Sequence, residues 1–191
     1  MRVIAGEAKG RRLHSVPGSA TRPILDRVKE SLFNILSWEV VDARFLDLFA
    51  GTGSVGIEAL SRGAAHADFV EKAGKAIATI KRNLKDTKLA DRATVIRRDV
   101  FGFIADADDQ YHLIFLAPPQ YQGLWADALR ALDRRPALLA AHGKVIAQID
   151  PQEFEDLALQ NLTLIDQRTY GNTRLCFYSH RTHEVVDTTA H

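Results

Sequence analysis

Three carboxylates and one glycine-rich turn are spaced as a nucleoside-binding site requires. The segment Phe45-Leu46-Asp47-Leu48-Phe49-Ala50-Gly51-Thr52-Gly53-Ser54-Val55-Gly56 reads as an apolar strand that turns into a helix. Glycines at such a turn let the backbone bend sharply and approach a ligand closely. Gly51, Gly53 and Gly56 fit the spacing G-x-G-x-x-G, and Glu71 follows Gly51 by twenty positions at the end of the next apolar run. An acidic side chain there is placed to accept hydrogen bonds from ribose hydroxyls. Asp47 lies inside the first strand, where a carboxylate suits a ligand's ammonium group. Asp99 closes the third run, in Arg97-Arg98-Asp99-Val100, and can accept from an adenine amino group while Val100 or Phe101 packs on the ring. Any one of these carboxylates has a plain alternative as a helix N-cap. Two ligands stay open on the glycine loop alone, a nicotinamide dinucleotide and S-adenosylmethionine. Asp47 and Asp99 favour the second, which carries an ammonium group and no pyrophosphate.

A second loop carries its own chemistry. Leu116-Ala117-Pro118-Pro119-Gln120-Tyr121 follows the fourth apolar run, so it faces the same sheet edge as the glycine loop. Two prolines fix φ and hold the chain extended, which aims backbone carbonyls rigidly. Tyr121 offers a ring on which a planar base can stack. Methylation of an exocyclic base nitrogen needs such a constellation. The amine's lone pair is delocalised into the ring, and an acceptor on its protons helps localise it for in-line attack. A strand-to-helix turn that happens to contain Pro-Pro is the plain alternative.

The elements that must position these residues alternate along the chain. Apolar runs at Phe45–Ala50, Ala67–Glu71, Thr94–Arg97, Leu113–Leu116, Lys144–Ile149, Leu162–Thr169 and Thr173–Ser179 predict seven strands. Helix-compatible stretches at Val55–Arg62, Gly74–Leu84, Val100–Ala105, Leu124–Leu132 and Gln152–Leu159 separate them. Short apolar strands separated by helices predict βαβ units and a mostly parallel sheet, an α/β doubly wound, Rossmann-like fold. The last two runs, joined by Tyr170-Gly171-Asn172, predict a closing antiparallel hairpin. Before residue 44 the pattern differs. Met1–Ala5 and Arg11–Val16 predict a hairpin around Lys9-Gly10. Asp26 predicts an N-cap for a lead-in helix whose apolar face is Val28, Leu32, Ile35 and Leu36. Three parts are expected: a basic hairpin with its lead-in helix over 1–43, the sheet domain over 44–180, and a frayed tail over 181–191.

Bulk composition fits one ordinary globular domain. The chain has 191 residues, 46% hydrophobic and 26% charged. No apolar run approaches the roughly 20 residues that cross a bilayer. Met1–Gly6 lacks a long apolar core, so it does not read as a signal peptide. Cys176 is the single cysteine and has no partner for an internal disulfide. Together these predict a cytoplasmic monomer with no membrane partner. No histidine pair has metal-ligand spacing, and no metal is expected. Net charge is +1, but residues 1–29 hold seven basic side chains, Arg2, Lys9, Arg11, Arg12, Arg22, Arg27 and Lys29, against Glu7 and Asp26. A locally basic arm can meet a phosphate backbone in a nearly neutral protein; a solvated surface segment is the plain alternative.

The order Asp-x-Phe-x-Gly-x-Gly, Glu71, Asp99 and then Pro-Pro-x-Tyr resembles the amino-methyltransferases that modify base nitrogens. The N-terminal signature is more specific. Met1-Arg2-Val3-Ile4-Ala5-Gly6, Lys9-Gly10-Arg11-Arg12-Leu13, Arg22-Pro23 and Asp26-Arg27-Val28-Lys29-Glu30-Ser31-Leu32-Phe33-Asn34 resemble the RsmD family, as does Tyr170-Gly171-Asn172-Thr173-Arg174-Leu175 near the end. The resemblance spans about residues 1–179. It implies transfer of a methyl group from S-adenosylmethionine to N2 of one guanine, guanine(966), of 16S ribosomal RNA, free or in the small-subunit particle. It implies a cofactor site at Arg27, Gly51, Thr52, Gly53, Glu71, Lys72, Asp99 and Val100. It places Pro118, Pro119 and Tyr121 on the catalytic loop and the hairpin, with Lys9, Arg11, Arg12 and Arg22, against RNA.

Ala117 departs from that pattern, since the loop of the family opens with Asp or Asn. Loss of one transition-state partner can cost on the order of 10²–10³ in rate. Three outcomes are open: the Pro118 carbonyl suffices, the Gln120 amide substitutes, or the chain is a weak or inactive relative that still binds RNA. Survival of every cofactor position favours retained activity. A nicotinamide-dependent oxidoreductase would leave the Pro-Pro loop and the basic arm unexplained.

Overall fold

The computed structural model describes residues 1–18 and 24–182. Arg22, Pro23 and the tail from residue 183 lie outside the described residues.

The seven runs form one seven-stranded sheet: β1 Arg44–Leu48, β2 His66–Glu71, β3 Ala93–Arg97, β4 Tyr111–Leu116, β5 Leu139–Ile149, β6 Leu162–Tyr170 and β7 Thr173–His180. Its order is β3-β2-β1-β4-β5-β7-β6. The first five strands run parallel, and β7 is antiparallel to both β5 and β6. Phe45–Leu48 is buried throughout because helices cover both faces of the sheet. Helices α1 Asp26–Leu36, α2 Ser54–Ser61 and α3 Gly74–Thr87 pack on one face, and α4 Val100–Asp106 and α5 Leu124–Asp133 on the other. Both crossovers after β1 lead outward to β2 and β3; the next returns to the other side of β1 as β4. That reversal is the switch point at which open α/β sheets bind ligands, beyond the carboxyl ends of β1 and β4.

The N-terminal segment is pinned to this frame by a buried ion pair. Lys29 and Glu58 have fully buried side chains and lie 3.4 Å apart. Lys29 also donates to the Arg2 carbonyl at 2.7 Å and to the Ser54 hydroxyl at 3.2 Å. The Glu58 carboxylate accepts from the backbone N–H groups of Ile4 and Ala5, at 2.9 and 3.0 Å, and from Arg62 at 2.8 Å. Burial pulls the Lys29 ammonium below the usual lysine range, against the opposing pull of Glu58. Lys29 is therefore a structural cation and not part of the solvent-facing basic arm. Lys9, Arg11 and Arg12 remain exposed.

Several expected elements take another form. The hairpin contracts to one antiparallel bridge, Arg2 with Arg12, supported by the Val3 N–H on the Arg11 carbonyl at 2.9 Å. Leu25, not Asp26, is the N-cap of α1; Asp26 is the first helical residue and faces Arg2 at 3.7 Å. The predicted helix Gln152–Leu159 is absent. A single 3-10 turn, Pro151–Glu153, is closed by an Asp150–Glu153 capping box, and the chain then leaves it at Phe154. Leu157 and Leu159 stand two apart and cannot share one helix face. The Phe154 ring instead stacks on Trp125 at 6.3 Å, and Asp133 takes the N–H groups of Gln160, Asn161 and Leu162 at 2.8–2.9 Å. The expected fraying does not begin at Arg181, which donates from its backbone to Asn161 at 2.7 Å and from its guanidinium to Leu159 at 3.1 Å.

Removing Lys29 would leave Glu58 buried without its closest cation. Lys29→Met is expected to lower unfolding free energy by about 3–5 kcal/mol in a urea titration. The double variant Lys29→Met/Glu58→Gln should lose clearly less. Equal losses would show that the charge is not the cause.

Candidate functional site

A cavity of about 670 Å³ opens at the switch point. The glycine-loop side contributes Asp47, Phe49, Ala50, Gly51, Thr52, Ser54 and Val55. The second loop contributes Ala117, Pro118, Pro119, Gln120 and Gln122, joined by Phe115 and Gln148 from the strand ends. Ser15, Val16 and Ile24 close it from the N-terminal extension. A smaller cavity, about 170 Å³, lies near Phe154, Tyr178 and Arg181 and shares none of these residues.

Strand β1 ends two residues earlier than expected because Phe49 turns to φ +58°. A bulky residue in that region is strained, and such strain collects at ligand sites. The turn continues through Gly51 to Gly53, which caps α2 at φ +75°. A side chain at Gly53 would be strained by φ and crowded by Ile80 and Phe69 at 3.2–3.3 Å. Glu71 clamps the turn. One of its oxygens accepts the Gly51 N–H at 3.0 Å, and the other accepts those of Lys72 and Ala73 at 2.9 Å. The oxygen bound to Gly51 keeps a lone pair, so the clamp does not exhaust the carboxylate's capacity to accept.

Asp47 is buried at 2% exposure and lines the cavity. It accepts the Gly56 N–H at 3.0 Å. Gly56 permits that approach, since a Cβ there would sit 2.4 Å from the Phe69 ring. Burial pushes the Asp47 carboxyl up to about 8; the Gly56 hydrogen bond pulls it down and the Glu71 charge pushes it further up. A buried carboxylate with one hydrogen bond and no cation suits a positively charged ligand. The cavity therefore fits the amino-acid end of S-adenosylmethionine.

The other expected residues are placed unevenly. Asp99 is the N-cap of α4: one oxygen accepts from Phe101 and Gly102 at 3.0 and 3.2 Å, and the group is exposed. Val100 is 3% exposed and packs into the core. Phe101 meets Phe49 edge-on at 6.5 Å. Arg27 and Lys72 are exposed and outside the cavity lining. Gln120 lines the cavity, whereas Tyr121 points away. Tyr121 is 65% exposed at φ +59°, its N–H donates to Glu153 at 2.6 Å, and its hydroxyl faces Asp150. Trp125 is buried against Phe154 and walls no cavity. Sequence reasoning missed Phe49, Phe115, Val16, Ile24 and Gln148. Only Gln148 carried a usable signal, a polar residue in the apolar run Lys144–Ile149. Among the described residues no group of three or more His, Cys, Asp or Glu side chains is placed to hold a metal ion. None of the described helices is long and apolar enough to cross a membrane.

Comparison with known proteins agrees with this geometry. The family model described as conserved hypothetical protein 95 matches residues 1–179. The YlbH protein of Bacillus subtilis, which carries the name of an rRNA methyltransferase, is 40% identical over 184 residues, 95% of this chain and all of that one. Ribosomal RNA small subunit methyltransferase D of Escherichia coli K12 is 37% identical over 133 residues, 70% of this chain and 67% of that one. The solved structure of yhhF from Escherichia coli superposes with a TM-score of 0.84 at 32% identity, covering 94% of this chain and 97% of that one.

The Asp47 carboxyl generates a pH test. Its folded value, about 8, lies above the ordinary 3.8. Its stabilising contribution is therefore complete below about pH 4 and is lost as pH rises through 8. In the ligand-free protein, the thermal midpoint should fall between pH 5 and pH 9. Asp47→Asn should reduce that fall by at least about 2–4 °C, the equivalent of about 1 kcal/mol. Parallel melting curves for the two proteins would remove Asp47 as the source.

Proposed function

From the premise that the chain belongs to the RsmD family, matched over residues 1–179, we propose that it methylates the exocyclic N2 amine of a guanine in 16S ribosomal RNA, guanine(966). The coarser description needs no proposal: the chain is an S-adenosylmethionine-dependent rRNA methyltransferase. The observation that carries the finer reading is the single cavity shared by Asp47, the glycine loop and the Pro-Pro loop.

When bound, S-adenosylmethionine supplies an electrophilic methyl group on a positively charged sulfur. Asp47 receives the ammonium end of that ligand, and Gly51, Thr52 and Gly53 let the backbone come close to it. Glu71 offers its remaining lone pair to the ribose, and Asp99 its free oxygen to the adenine amine beside Val100. Arg27 and Lys72 flank this site on the surface. Pro118 and Pro119 hold the second loop extended, so that the guanine, flipped from its helix, enters between the two loops. Tyr121 is turned away from the cavity, which favours Gln120 over Tyr121 as the residue of that loop nearest the base. The exposed Lys9, Arg11 and Arg12, with Arg22, meet phosphates of the RNA or the small-subunit particle.

Ala117 supports one second reading, a weak or inactive relative that retains RNA binding. Labelled methyl transfer separates the two. Incorporation into unmethylated 16S RNA or 30S particles, with the label mapped to N2 of guanine(966), is the expected result. Cofactor binding in calorimetry without incorporation would favour the second reading. The basic extension adds a binding test. Lys9→Ala/Arg12→Ala should weaken RNA affinity and flatten the slope of log affinity against log salt by about 1 per lost phosphate contact. An unchanged slope would remove these two residues from the interface.

A further inference from the structure

Ala117 leaves the opening position of the second loop without a side-chain acceptor, and the neighbouring strand places one beside the gap. Strand register pairs Phe115 with Ile146 and Leu116 with Ala147, so Ala117 and Gln148 stand side by side one residue further on. Neighbouring strands are about 4.8 Å apart, and side chains alternate between faces. Ala117 and Gln148 therefore point to the same face as Phe115 and Ile146, where the cavity lies. Both line it. The Gln148 Oε1 atom is shielded from solvent, yet no donor among the described residues reaches it. A shielded acceptor without a donor is unfavourable, and each instance needs a physical reason. Nor does any donor hold the acceptor end in place, and the last torsion of a carboxamide is a soft two-fold rotor.

We infer that Gln148 is the catalytic acceptor for the target amine, doing from β5 what the side chain at 117 cannot. The inference rests on the methyl-transfer reading of this cavity. In the step, a bond forms between the amine nitrogen and the methyl carbon. The methyl–sulfur bond breaks, and its electron pair stays on sulfur. The amine loses one proton to water, while Gln148 Oε1 accepts a hydrogen bond from the N–H that remains. An amide oxygen is too weak a base to take the proton, so its part is to orient the amine and localise its lone pair. Gln120 is the competing amide, but it sits exposed on a loop. Gln148 is held by a strand paired on both sides, and groups on regular elements are positioned more accurately than groups on loops.

The test uses the full chain, unmethylated small-subunit particles and labelled S-adenosylmethionine, with cofactor affinity read separately by calorimetry. Gln148→Leu should lower kcat on the order of 10²-fold while cofactor affinity stays within about threefold. Gln148→Glu, which keeps an acceptor, should retain activity. Ala117→Asn in the Gln148→Leu background should restore most of the loss, because it returns an acceptor to the adjoining position. Three results overturn the inference: an unchanged kcat in Gln148→Leu, a loss confined to cofactor affinity, or failure of Ala117→Asn to rescue. A large loss in Gln120→Ala with none in Gln148→Leu would assign the acceptor to Gln120. Absence of transfer by the unaltered chain would remove the methyl-transfer reading itself, and the acceptor role with it.

Discussion

A lysine with no solvent contact has to find its charge a partner, and in this chain Lys29 finds Glu58. The consequence reaches well beyond two side chains. Glu58 sits in the middle of α2, directly after the glycine turn, and its oxygens also take the N–H groups of Ile4 and Ala5. Lys29 extends the same network to the Arg2 carbonyl and to Ser54, the first residue of α2. The N-terminal segment, the lead-in helix and the helix behind the cofactor turn are thus held at one buried point. Desolvating both charges is costly, so the pair gives little net stability. Its effect is positional: both ions are satisfied where these segments meet.

The carboxylates at the strand ends differ in how far the scaffold uses them. Glu71 ties Gly51 to the start of α3, and Asp99 caps α4. Both are fully explained as structure, and each keeps unused acceptor capacity. Asp47 is different. It accepts one hydrogen bond, from Gly56, and burial pushes its carboxyl well above the usual carboxylate range. A cationic ligand supplies the partner that the fold withholds. A buried carboxylate of this kind favours a cation over an equally shaped neutral group.

The parallel sheet was legible because its evidence is local and repeated. Each buried strand is a short apolar run, each crossover is a helix-compatible stretch, and chain order alone predicts where they meet. The placement of Asp47, Glu71 and the glycine turn at strand ends was legible for the same reason. What failed depended on contacts remote in sequence. Lys29 read as one of seven basic residues, because nothing nearby reveals Glu58, twenty-nine positions on. Gln152–Leu159 read as a helix, because the competing partners, Trp125 and Asp133, lie in α5. Tyr121 read as a base-stacking ring, but its backbone answers to Glu153 and turns the ring outward. Gln148 passed unnoticed because its meaning depends on standing beside Ala117 across the sheet.

One wall of the cavity comes from outside the sheet. Ser15, Val16 and Ile24 close it, and they belong to the extension that also carries the exposed Lys9, Arg11 and Arg12. Leu13 and His14 join the two sets, held by the Met1 carbonyl and by Asn83, while Arg12 bridges Arg2 and Glu58 anchors Ile4 and Ala5. Only a few residues of hydrogen-bonded backbone separate the basic side chains from the cavity wall. A separate RNA-binding domain on a linker would leave the cavity unchanged whether or not RNA was held. Here the exposed basic residues and the wall that shapes the pocket belong to one N-terminal extension, fixed to the scaffold at the buried ion pair.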